Sequence, residues 1–161
     1  VAVFIGYTIG TTPIISYHFG AENHDELKSL LRKSLLIMGS VGIVMMVLAW
    51  ALASPLATVF VGYDLELFEM TKHAFKIFAF AFLLAGLNIF SSSFFTALNN
   101  GGISAAISFL RTLIFQMLSV LILPIFFGLD GIWSAITVAE VLAFAVSVTF
   151  LIVNRKKYNY A

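Results

Sequence analysis

Five apolar runs, at about residues 1–20, 34–60, 74–98, 103–127 and 131–153, take up most of the 161-residue chain. Each approaches or exceeds the roughly 20 apolar residues that a helix needs to cross a bilayer. Membrane-spanning strands are excluded, because an open sheet edge facing lipid leaves its backbone N–H and C=O groups without partners. The runs therefore predict an all-α fold, a polytopic transmembrane helical bundle with five spans. Composition agrees: 61% of residues are hydrophobic and the mean hydropathy is +1.03, against about 45–50% apolar residues in soluble domains.

The 9 Lys+Arg and 8 Asp+Glu nearly balance and gather mostly between the apolar runs. No basic field for nucleic acid results, so nucleic acid is not a partner. With Cys 0, a disulfide framework, a thiolate metal site and a thiol nucleophile are all ruled out. The three histidines, His18, His24 and His73, lie near span ends, and no HExxH pair or nucleophile elbow is present. No catalytic residue and no metal site are assigned, and an enzyme is not expected.

Four breaks separate the runs. Ala21–Lys33 is charged, Val61–Lys72 mixes Gly and acids, and Asn99–Gly102 and Gly128–Gly131 are turn sequences. The first break reads as a short interfacial helix. Asn23 is its cap, Glu26 stands three residues later, and Leu27, Leu30 and Leu31 share a face opposite Lys28 and Arg32. Basic residues set the orientation. Lys28, Arg32, Lys33, Arg155, Lys156 and Lys157 fall on one side and Lys72 and Lys76 on the other. The expected topology is outside at Val1 and inside at Ala161, for a multi-pass protein of the cell membrane with a cytoplasmic carboxyl terminus. Because Val1 opens within an apolar run without an initiator Met, the chain is expected to be part of a longer protein.

Within the spans, polar residues call for a reason. Thr8, Thr12 and Ser16 fall on one helical stripe with Thr11 beside it, and Pro13 removes a backbone donor near Ile9. Two readings stay open. Each hydroxyl bonds its own helix while Pro13 kinks it, or the kinked polar face lines a cavity of the kind in which broken helices hold substrate. In the third span Asn88, Ser91, Ser92 and Phe95 cluster at three-to-four spacing, which suits either helix packing or a cavity wall. Arg111 and Glu140 carry a stronger signal, since a charge at bilayer depth costs a few kcal/mol unless paired. The short Gly128–Gly131 turn makes their helices antiparallel neighbours, and a rise of 1.5 Å per residue brings the two to within about 4–5 Å in depth. An intramembrane charge pair is the expectation, the alternative being that Arg111 snorkels to the cytoplasmic headgroups and Glu140 stays protonated.

The runs GTTPIISYHFGAENHDELKSLLRKSL, SSSFFTALNNGGISAAISFLRTL and LPIFFGLDGIWSAITVAEVL, in this order and spacing, resemble the carboxyl-terminal lobe of the multidrug and toxic compound extrusion (MATE) transporters. The resemblance implies a two-lobe, twelve-helix antiporter of which this chain supplies helices eight to twelve, its amino-terminal lobe being the missing partner. It implies export of organic cations or drugs by alternating access, with sodium or protons as coupling ion and no other cofactor. Thr8, Thr12, Pro13, Ser16, Asn88, Ser91 and Phe95 are then the candidate substrate-cavity residues. The resemblance also puts Asn88 where some branches of the family carry an aspartate, and a neutral amide holds sodium less strongly. A lipid-linked oligosaccharide flippase, or a nontransporting scaffold of the same shape, is the alternative. A flippase cavity needs strong positive charge for pyrophosphate, and only Arg111 lies deep within the spans.

The topology is open to direct test, because the chain has no cysteine of its own. An impermeant thiol reagent applied to intact cells is expected to label Tyr63→Cys and to spare His24→Cys. Labelling of His24→Cys from outside would reverse the orientation.

Overall fold

The structure, a computed structural model, describes residues 1–160 and leaves Ala161 outside the described residues. Its elements are helical throughout: α1 (Ala2–Gly20), α2 (His24–Val61), α3 (Leu65–Phe78), α4 (Ala81–Ala97), α5 (Gly101–Phe109), a π-helical stretch (Leu110–Phe115) and α6 (Gln116–Tyr158). No strand occurs among the described residues.

Two continuous helical stretches, His24–Val61 and Gly101–Tyr158, are long and apolar enough to cross a membrane, and α3 with α4 makes a third when counted as one bent span. The second stretch is 58 residues long, far more than one crossing needs. Inside α6 the backbone leaves helical geometry at Gly128, with φ 57° and ψ −131°. That left-handed φ favours glycine, and it folds residues 129–158 back along residues 101–127. An added Cβ at Gly131 would lie 2.4 Å from the Leu123 carbonyl oxygen, a measure of how tightly the hairpin closes. Helix α1 has 19 residues, with Pro13 inside and hydroxyls diluting its apolar character.

Two expectations about the elements are corrected. The first break is no separate interfacial helix: α2 starts at His24 and runs unbroken through Val61. Asn23 does cap it, its side chain accepting from the Glu26 N–H at 3.2 Å. Leu27, Leu31, Ser34, Met38 and Gly42 are buried at three-to-four spacing, so one stripe continues across the expected boundary. The third run is no single straight helix either, since α3 and α4 are bent by 41° at residues 79–80.

Helix α4 is the centre of the bundle and packs against α1, α2, α5 and α6. Its buried residues include Ala85, Gly86, Asn88, Phe90, Ser91, Phe94 and Phe95. The core joins these to Phe4 and Ile15 of α1, Met38 of α2 and Ile107 of α5. At one end the Asn99 turn, at φ 56°, leads into Asn100, whose side chain caps α5 by accepting from the Ile103 N–H at 3.1 Å and donates to the Tyr158 hydroxyl at 2.7 Å. At the other end α3 meets α2 through the Trp50 indole N–H, 3.0 Å from the Lys76 carbonyl.

Where α2 crosses the start of α4 the backbones nearly touch. A Cβ at Gly42 would lie 2.7 Å from the Phe82 carbonyl oxygen, whereas one at Gly39 would meet nothing within 4 Å. Gly42→Ala is therefore expected to force the helices apart and lower stability by about 1–3 kcal/mol. Gly39→Ala is expected to be neutral or to gain up to about 1 kcal/mol from helix propensity. Thermal unfolding of the two variants checks the contrast.

Candidate functional site

Glu140 points inward from the returning arm of α6, with only 7% of its side chain exposed. Its carboxylate is met from two other helical segments. Arg111 Nε donates to Oε1 at 2.9 Å and to Oε2 at 3.0 Å, and Arg111 Nη2 donates to Oε1 at 2.6 Å. Asn88 Nδ2 donates to Oε2 at 2.7 Å and to the Glu140 backbone carbonyl at 3.0 Å. The fork of the guanidinium matches the carboxylate, which makes this the strong, charge-assisted form of the interaction. Asn88, fully buried, is held in turn by the Ser147 hydroxyl, which donates to its Oδ1 at 3.1 Å. Ser147 is two turns beyond Glu140, so both side chains rise from one face of α6.

Local structure explains the aim of each group. Arg111 lies in the π-helical stretch Leu110–Phe115, where i→i+5 bonding inserts an extra residue into the turn and rotates the side chains that follow. Asn88 lies mid-way along α4, the helix with most burial, where an amide without partners would be costly. Pairing offsets the two charges, the Asn88 amide donates to the carboxylate as well, and the Ser147 hydroxyl satisfies the amide oxygen in turn.

Beside this network is a cavity of about 270 Å³. Asn88, Ser92, Ser93, Ser108 and Arg111 supply its polar wall, and Ile5 of α1 faces them. The Arg111 side chain is 23% exposed, so the guanidinium borders the open space as well as the carboxylate. A chain of hydroxyls extends along the seam of α4 and α5. Ser92 Oγ lies 2.8 Å from Ser108 Oγ and 2.9 Å from Ser104 Oγ, and Thr96 Oγ1 lies 2.7 Å from Ser104 Oγ.

The seven candidate cavity residues are dispersed. Asn88 alone of them lines this cavity. Thr8 donates to its own helix at Ile5 O, 2.8 Å, and Thr12 does the same at Thr8 O, 2.6 Å. Pro13 faces outward from α1. Ser16 reaches across to the Ala97 carbonyl at 3.1 Å and so ties α1 to α4. Ser91 is buried against its own Leu87 carbonyl at 2.8 Å. Phe95 is fully enclosed, packed edge-on to Phe94 and Phe150. Ser92, one of the third-span cluster, gains partners that the sequence reading does not include, Ser104 and Ser108, and Ser147 is likewise outside it. Their signal was the four-residue spacing of Ser104 and Ser108, and the seven-residue spacing of Ser147 from Glu140.

The MatE family model matches residues 1–122. Among solved structures the chain is similar to the crystal structure of the Vibrio cholerae MATE transporter VcmN in the bent form, with a TM-score of 0.86 and 18% sequence identity. That match covers 97% of this chain and 35% of the other, so the chain spans about a third of that transporter's length. No curated protein matches the chain. The structural likeness establishes the fold, and the sequence match, which takes in well over half of the chain, establishes kinship. This all-helical chain belongs to the MatE family, a family of membrane transporters and not of enzymes.

Proposed function

We propose that the chain is part of the carboxyl-terminal lobe of a two-lobe secondary antiporter, supplying helices eight to twelve. With its amino-terminal lobe it exports organic cations or drugs across the cell membrane by alternating access, driven by sodium or protons, with its carboxyl terminus in the cytoplasm. The observation that carries this reading is the Arg111–Glu140–Asn88 network, enclosed in spanning helices and bordering a polar cavity. Ionisable residues at such depth mark substrate and ion pathways, and a site between helices that both sides reach in turn is what alternating access requires. The flippase alternative loses support from the same geometry, because the positive charge of Arg111 is already taken up by Glu140 and is not free for a pyrophosphate.

The complete transporter, reconstituted into vesicles, is expected to concentrate a fluorescent organic cation when a sodium or proton gradient is imposed, and to equilibrate it without one. Equilibration alone under both gradients would overturn the antiport reading. The charge pair has its own test within the same assay. Arg111→Glu and Glu140→Arg are each expected to lower gradient-driven uptake by about tenfold or more, equivalent to about 1.4 kcal/mol. The double exchange is expected to restore part of it. A double variant as poor as the product of the two singles would show that the pair contributes nothing as a pair.

A further inference from the structure

Glu140 is the only Asp or Glu within the five apolar runs. The nearest oxygens are its own Oε1, Oε2 and backbone carbonyl, with Asn88 Oδ1 and Ser147 Oγ one hydrogen bond further on, since the amide presents its Nδ2 to Glu140 and its Oδ1 to Ser147. Carboxylate, amide, hydroxyl and carbonyl oxygens are the donors that hard monovalent cations take. In the structure those carboxylate lone pairs are filled instead by N–H groups, two of them from the guanidinium. Arg111 therefore holds the place that a free cation would take.

Charge counting gives the same result. With Arg111 in place the enclosed site is neutral, and a further cation would leave an uncompensated positive charge in apolar surroundings, which is strongly unfavourable. Without Arg111 the site carries a net negative charge and demands a cation. A tethered ligand also competes at a high effective concentration against one that must come from solution, and its planar fork is pre-organised for the carboxylate. Asn88 adds adaptability, since a hydroxyl both donates and accepts. Ser147 bonds the amide in either orientation, and a reversed amide would turn Oδ1 toward Glu140. The adjoining cavity, which Arg111 lines, gives the guanidinium somewhere to turn.

We propose that Arg111 is a tethered counter-cation that occupies the acidic site of this lobe, so that a cation the size of sodium enters among Glu140, Asn88 and Ser147 only when the guanidinium is gone or turned away. This rests on the transporter reading above and deepens it: while the pair is closed, sodium does not bind at Glu140, and coupling by sodium belongs elsewhere in the protein.

The experiment is sodium binding to the purified complete transporter, measured with radioactive sodium and by thermal unfolding in sodium chloride against choline chloride at equal ionic strength. The unchanged protein and Glu140→Gln are expected to bind the same amount of sodium. Arg111→Gln is expected to bind one further equivalent and to gain a saturable, sodium-specific rise in unfolding temperature. The double variant R111Q/E140Q is expected to lose both gains, and Arg111→Lys, which keeps a tethered cation, to show neither. A folded Arg111→Gln protein with no added sodium binding overturns the proposal. Loss of sodium on Glu140→Gln in the otherwise unchanged protein overturns it too, and that arm decides the matter if Arg111→Gln does not fold. The readout is binding, so failure of gradient-driven transport leaves this result standing on its own.

Discussion

A carboxylate enclosed among apolar helices must be given donors by its neighbours, because an uncompensated buried charge costs several kcal/mol. Meeting that requirement at Glu140 fixes three parts of the molecule relative to one another. Asn88 brings in α4, Arg111 brings in the π-helical stretch, and Glu140 with Ser147 brings in the returning arm of α6. The hairpin at Gly128 serves the same end, since only an antiparallel return places residue 140 level with residue 111. Around this centre the apolar contacts of α4 with Phe4, Ile15, Met38 and Ile107 supply area, but those contacts are non-directional. The hydrogen-bonded network is what specifies register.

The all-helical bundle was legible because backbone groups at membrane depth must be satisfied within a helix, whereas the limits of the elements were less so: α2 begins at His24 and the third run is part of a bent pair. The turns at Asn99–Gly102 and Gly128–Gly131 were legible from left-handed-tolerant residues, and the backbone takes positive φ at Asn99 and at Gly128. The unity of α2 was legible in principle, since Leu27 and Leu31 belong to the same stripe as Ser34, Met38 and Gly42. A run of charges at its start hid that period. The bend at residues 79–80 had no such mark. Neither proline nor glycine stands there, and the angle follows from where α3 and α4 each pack, a tertiary property.

The charge pair shows how far the sequence reaches into the site. Depth and antiparallel order follow from counting residues, so Arg111 and Glu140 were expected at one level. The π-helical stretch that turns Arg111 toward its partner leaves no signature in residue types, and Ser147 gains its meaning only from Asn88. The hydroxyls of α1 teach the converse. A threonine in a helix always has its own backbone carbonyl within reach, and Thr8 and Thr12 take that local option. Spacing on a stripe says which side chains share a face and nothing about which of them needs a partner beyond the helix.

Polar groups in this bundle thus fall into those satisfied at home and those that bond across helices, and only the second kind resists relative motion. Cross-helix bonds concentrate on α4 and its ends: Ser16 to Ala97, Asn100 to Tyr158, the Ser92–Ser104–Ser108 seam, and Asn88 to Glu140. Helix α3 differs, with no buried residue of its own. Besides its packing on α2 and α6 it is held by Trp50 to Lys76, by a weak bond from Thr137 to Ile77 at 3.4 Å, and by His73 Nε2 to Asp130 at 3.1 Å, the last with both side chains more than half exposed. Exposed pairs of that kind contribute only about 0–1 kcal/mol. The hydrogen bonds that fix register therefore run from α4 to α1, α5 and α6. Helix α3 is instead attached chiefly by side-chain packing on α2 and α6, and the 41° break at residues 79–80 marks where that kind of attachment gives way to the hydrogen-bonded centre.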